Sequence, residues 1–196
     1  MRDIESIRGD FVQGSYLLLP KAGDRVSATL FFARQCEQAT EAQNEKLARW
    51  YYRATMSEFK SIFDVLSSDM REYGVDKIWN RSKFKKEIEN NALIKVLKKA
   101  RNLSIHTTKL SGDHKSINVT FINGKGESPK TISYVFINPI KKEMDKDLSV
   151  ITDEEVEWFN RQAQKWPAHL LIKEAIYQSS QQLARFLSKY NEHLAV

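Results

Sequence analysis

Apolar residues along this chain fall mostly at helical spacing, with one interruption. From Arg25 to Tyr73 there is no glycine or proline. Leu47, Trp50, Tyr51, Ala54, Ile62, Leu66, Met70 and Tyr73 mark one stripe. A single helix of that length would extend about 70 Å at 1.5 Å per residue, too long for a small domain. The polar run Thr40–Glu45 therefore predicts a break, with Asn44 capping a second helix and Gly74 ending it in the left-handed manner. A third helix is expected from about Ser82 to Thr108, entered through a Ser82 cap. The period then changes. Ile117–Ile122 and Thr131–Ile137 are β-branched and aromatic, and Asn123-Gly124-Lys125-Gly126 between them predicts a β-hairpin or two short strands. Thr152-Asp153-Glu154-Glu155 is a capping box that opens another helix. Pro167 kinks that helix or starts the last one, whose stripe is Leu170, Leu171, Ile176, Leu183, Leu187 and Tyr190. The expected fold is mainly α, an up-and-down bundle of four to five helices with a small β-hairpin insertion at about 117–137. Residues 1–24, with three glycines and a proline, are expected to form an N-terminal arm, and 25–196 a single domain.

Composition narrows the class. Of 196 residues, 41% are hydrophobic and 29% charged, which is ordinary for a globular chain and too apolar for disorder. The apolar run near the N-terminus, Tyr16 to Leu19, ends at Pro20, so neither a spanning helix nor a secretory signal is expected there. One cysteine, Cys36, excludes an intrachain disulfide and any cysteine-built metal site, and the cytoplasm is the expected location. Cys36 itself is expected to be an inert buried thiol. The net charge of +6 is concentrated. Between Lys77 and Lys109 ten basic residues face only Glu87 and Glu89, whereas from Lys141 to Glu157 seven acids face three lysines. A basic segment of this kind suits a phosphate-rich partner, although solvated lysine faces are common.

Within the basic segment stands Arg101-Asn102-Leu103-Ser104-Ile105-His106. With Val96 set at zero on a helical wheel of 100° per residue, Ala92, Leu93, Val96, Ala100 and Leu103 cluster within about 60° and form the core face. Lys95, Lys99, Asn102, His106 and Lys109 form a second stripe, so Asn102 and His106 are neighbours on a polar face rimmed by lysines. Arg101 lies about 140° from His106, in a third stripe with Ile94, Lys98 and Ile105. One straight helix does not easily aim Arg101 and His106 at a single phosphate. Ile94 and Ile105 need cover from another helix of the chain or from a second copy, and a two-fold dimer would bring two such helices together.

An arginine, a polar residue directly after it and a histidine five positions on, late in a bundle helix, resembles the Arg-x(4–6)-His motif of the HEPN superfamily. The resemblance covers these six residues and the helix order from about Arg25 to Leu110 plus the C-terminal helices. It departs from the simplest four-helix version at the hairpin. It implies a toxin- or defence-type endoribonuclease, homodimeric and needing no metal or cofactor, that cleaves RNA to a 2′,3′-cyclic phosphate at a cleft between two copies. Arg101, Asn102 and His106 would then be catalytic, and Lys95, Lys98, Lys99 and Lys109 would hold flanking RNA phosphates. An antitoxin or a separately encoded nucleotidyltransferase is an expected partner, and a membrane is not. The same fold also serves as a non-catalytic RNA- or nucleotide-binding or interaction module, including ones carried on mobile DNA.

Other signals carry less. Gly14-Ser15 followed by Asp24 is similar to the opening of a nucleotidyltransferase motif, but Val26 stands where the second carboxylate belongs. Gly124-Lys125-Gly126 has no following helix to hold a phosphate. His106, His114, His169 and His193 show no ligand spacing, so no metal is expected. Trp50, Tyr51 and Tyr52 are offered as core more readily than as base-stacking residues, and Trp79, Trp158 and Trp166 as packing.

Overall fold

The computed structural model describes residues 15, 19–106, 113–123, 126–144 and 146–190, with the side chains of 102–106, 113–134, 143, 146 and 147 outside that description. Helix α1 (Pro20–Glu41) starts five residues before the expected domain boundary, so part of the predicted arm is helical. Pro20 occupies its first turn, where a missing N–H costs nothing. Leu19 offers no side-chain cap. Instead the buried Asp69 carboxylate, from the neighbouring helix, accepts the Ala22 N–H at 2.8 Å. The buried face of α1 is Ala22, Val26, Thr29, Ala33, Cys36, Ala39 and Thr40, all small residues. The Thr29 and Thr40 hydroxyls donate to the carbonyls of Arg25 and Cys36 one turn back, so each is satisfied within its own helix.

A tight turn with Gln43 at φ 57° leads into α2 (Glu45–Glu72), which Asn44 caps by accepting the Leu47 N–H, as expected. Its buried positions are Ala48, Tyr52, Thr55, Met56, Phe59, Ile62, Leu66, Asp69 and Met70. In the first two turns the expected stripe is therefore off by one position: Leu47 and Trp50 face solvent, Trp50 at 70% exposure, while Ala48 and Tyr52 face in. Gly74 at φ +67° ends the helix, with the Val75 N–H reaching the Met70 carbonyl and the Gly74 N–H that of Arg71.

The helix expected over 82–108 is two helices. After the short α3 (Asp76–Arg81), Ser82 caps α4 (Lys83–Asn90) as predicted, but the chain breaks at Asn91. Asn91 takes extended ψ and its side-chain oxygen accepts the Ile94 N–H, so it caps α5 (Ala92–His106). The hairpin follows as antiparallel strands β1 (Asp113–Asn123) and β2 (Gly126–Phe136), longer than expected, closed by an Asn123–Gly126 pair. At its base Val135, Phe136 and Ile137 are buried. Beyond them Asn160 brackets Ile140, accepting its N–H and donating to its carbonyl. Two 3-10 turns lead to α6 (Asp153–Lys165), which begins with the predicted Thr152–Glu155 capping box. Pro167 starts α7 (Ala168–Lys189) rather than kinking α6.

The last helix is central. It touches α1, α2, α4, α5 and α6, and its Phe186 ring meets Trp79 at 4.9 Å, Phe84 at 6.2 Å and Tyr190 at 4.8 Å. Burying each such ring contributes about 1.5–3 kcal/mol. The architecture is a helical bundle bearing a β-hairpin. No helix among the described residues is long and apolar enough to cross a membrane.

Candidate functional site

Helix α5 carries the Arg-x4-His motif, and its backbone is helical without a break from Ala92 through His106. It packs on α2, α4, α6 and α7, so its circumference is mostly occupied. Leu93, Ile94, Val96, Leu97 and Ala100 are all buried, which makes the core face wider than the expected sector. Ile94, at 1% exposure, is covered by this chain itself and requires no second copy. Arg101 lies on the same side of the helix as Ile94 and is half-buried.

The lysines proposed as phosphate contacts are not equivalent. Lys95 donates to both oxygens of Glu155, at 3.0 and 2.8 Å, tying α5 to the N-terminus of α6. Burial pushes the Glu155 carboxyl upward, but the Lys95 hydrogen bond, the Thr152 backbone N–H and the nearby ammonium charges outweigh it, and the net shift is downward. The Lys98 ammonium lies 4.8 Å from the centre of the Phe63 ring on α2. Burial lowers its pKa, against the opposing pull of the Asp64 and Glu89 carboxylates. Lys99 is half-buried and has no acidic partner among the described residues. Thus α6 crosses the polar stripe at Lys95, and the accessible part begins at Lys99. The side chains of Asn102 and His106, and all of Lys109, lie outside the described residues.

Further along the basic segment, Lys85 bonds to Asn80 at 2.8 Å and pairs with Glu89 at 3.6 Å, and Lys83 lies over Phe84. Lys77, Arg81 and Lys86 are exposed, without an acidic partner among the described residues. These three, with Lys99, are among the cations of the segment left open to an external anion. Cys36 is buried and its thiol is pushed up to about 12, first by desolvation, so it is no nucleophile at neutral pH. Among the described residues no group of three or more His, Cys, Asp or Glu could hold a metal ion.

Sequence reasoning passed over a cleft of about 410 Å³ where α5, α6 and α7 meet. Trp158 and Trp166, expected as packing, are only half-buried and line it; Trp79 is the fully packed one. Gln178 and Glu174 form a polar wall: Gln178 Oε1 accepts from Asn91 Nδ2 behind it, and Gln178 Nε2 donates to Glu174 Oε1, both at 2.6 Å. The signal was present in the sequence. Trp158 and Gln162 on α6 and Trp166 just past its end stand four residues apart, a spacing that puts them on one face. Compared with known proteins, the chain matches no family model, no curated protein and no solved structure.

Proposed function

We propose that this protein is a HEPN-like, metal-independent endoribonuclease of the toxin or defence type that acts as a homodimer. The observation that carries the reading is the unbroken helix α5, which holds Arg101, Asn102 and His106 in a helical bundle, beside a strongly basic segment. In this mechanism His106 takes the proton from a ribose 2′-OH, and the oxygen attacks the adjacent phosphorus. The P–O5′ bond breaks, the His106 imidazolium returns its proton to the departing 5′ oxygen, and a 2′,3′-cyclic phosphate remains. Arg101 binds the non-bridging oxygens bidentately as charge builds on the phosphorane. Asn102 orients the imidazole or a phosphate oxygen. Arg101 and His106 diverge by about 140° around one helix, so each site draws on two chains. Lys99 and Lys109 hold the flanking strand, and Lys95 and Lys98 join them where the ion pair with Glu155 and the Phe63 contact open. A separately encoded antitoxin or nucleotidyltransferase would be the natural restraint on such an activity.

A second reading is favoured by the half-burial of Arg101 and by the internal pairing of Lys95: a non-catalytic module of the same fold that binds RNA or a nucleotide. One experiment separates the two. Wild type, Arg101→Ala and His106→Ala are incubated with RNA in EDTA, and product ends are analysed. The enzyme reading expects chelator-resistant cleavage to cyclic-phosphate and 5′-OH ends, lost in both variants. Products ending in 3′-OH, or equal cleavage by all three proteins, refute it. Salt-dependent RNA binding without cleavage selects the module.

A further inference from the structure

We propose that the cleft between α5, α6 and α7 is a nucleobase-binding site that prefers guanine. This rests on residues other than Arg101 and His106 and does not require ribonuclease activity. The cleft, at about 410 Å³, falls within the size range of small-ligand sites, roughly 300–1,000 Å³. Its floor is apolar, formed by the buried Leu93 and Leu171, and its aromatic surface comes from Trp158 and Trp166. Half-buried indoles beside an open volume are stacking surfaces for a flat ring.

The polar lining decides which flat ring. Asn91 donates to Gln178 and Gln178 donates to Glu174, so this chain of hydrogen bonds ends in a carboxylate. Glu174 can only accept, and the second of its oxygens forms no hydrogen bond within the described residues. Gln162, half-buried in the same cleft, forms no side-chain hydrogen bond within the described residues, leaving both an amide N–H donor and an oxygen acceptor. A hydrocarbon ligand would strip water from these groups and return nothing, at a cost that buried polar groups do not tolerate. Guanine carries adjacent N1–H and N2–H donors, which suit a carboxylate, and O6 and N7 acceptors, which suit an amide N–H. Adenine, cytosine and uracil offer no such pair of adjacent donors. Lys165, exposed at the rim, supplies a cation for the attached phosphate.

The test uses the full-length protein and its own indole fluorescence. GMP, AMP, CMP and UMP are titrated separately, followed by short single-stranded RNAs with and without a single guanine. Saturable quenching by GMP, at least tenfold tighter than by the other three, is the expected result. Trp158→Ala should weaken it at least fivefold, and Glu174→Gln, which can keep its bond to Gln178, should abolish the guanine preference while circular dichroism stays unchanged. His106→Ala should bind GMP as wild type does, so loss of the ribonuclease reading leaves this one standing. A guanine-containing strand that binds more tightly than GMP identifies an RNA base as the occupant, and equal affinity identifies a free nucleotide. No saturable quenching by GMP or by the guanine-containing strand overturns the proposal. So does binding that is indifferent to both substitutions in folded variants, or a response to a zwitterionic amino acid such as leucine in place of GMP.

Discussion

Lowering the pH from 7 to 5 should destabilise this protein through His169 by about 2 kcal/mol. His169 lies in the first turn of α7 at 8% exposure, with Glu37 Oε1 at 3.8 Å and Lys173 one turn along. Burial, then the Lys173 charge, lower its pKa to about 3. The helix N-terminus also disfavours an imidazolium there. Glu37 acts in the opposite sense, but its carboxylate is at the edge of ion-pair range and a third exposed, so water screens it and desolvation wins. In the unfolded chain the imidazole titrates near its ordinary value of about 6.5. Between those two values the unfolded state binds the extra proton, so stability rises with pH across the window and is complete above it. Each unit below about 6.5 therefore costs about 1.4 kcal/mol, which gives the figure at pH 5. Urea denaturation at pH 7 and pH 5, on wild type and His169→Gln, isolates the effect, because carboxylates and the other histidines titrate equally in both proteins. Wild type should lose about 2 kcal/mol more than the variant over this interval. Equal losses, or an NMR titration of the His169 imidazole near pH 6.5, would refute the reasoning.

Two further outcomes test the tertiary contacts. Asp69→Ala removes a buried, charge-assisted cap from α1 and should cost about 1.5–3 kcal/mol, lowering the melting temperature by about 5 °C, with Asp69→Asn intermediate. A melting curve for the alanine variant that overlays wild type would show that α1 needs no such cap. For the Lys95–Glu155 pair, with side chains about a quarter exposed, a double-mutant cycle using Lys95→Met and Glu155→Gln should return a coupling of about 0.5–1 kcal/mol. Glu155→Gln alone should tighten RNA binding if the released Lys95 meets phosphate, and unchanged binding would remove Lys95 from the contact set.

Local signals were the most legible. The caps at Asn44, Ser82 and Thr152, the Gly74 stop and the hairpin pairing that ends at Asn123 and Gly126 all lie within a few residues of what they control, and sequence reading found each. What it missed is set by distant partners. The cap of α1 comes from Asp69, 47 residues away. Trp50 fits an apolar stripe by spacing, yet the supply of small residues on α1 lets Ala48 and Tyr52 take the inward positions. The break at Asn91 was written in an Asn-Asn pair, but the continuous run of lysines and apolar residues on either side masked it. At the candidate site the motif and its helix were readable, whereas the occupation of Lys95 by Glu155 and the cover over Ile94 depend on where α6 and the other helices pack.

The narrow seam between α1 and α2 has a kinetic corollary. Alanines, threonines and a cysteine on one side let two long helices joined by a three-residue turn approach closely, with Cys36 Sγ bonded to the Ala48 carbonyl at 3.3 Å. These partners are close in sequence, so closing the pair demands little loop entropy, whereas α7 must be recruited from about 95 residues beyond α2. During synthesis, these two helices can therefore dock before the ribosome has delivered α7, and the half-built molecule exposes its remaining apolar face until that helix arrives.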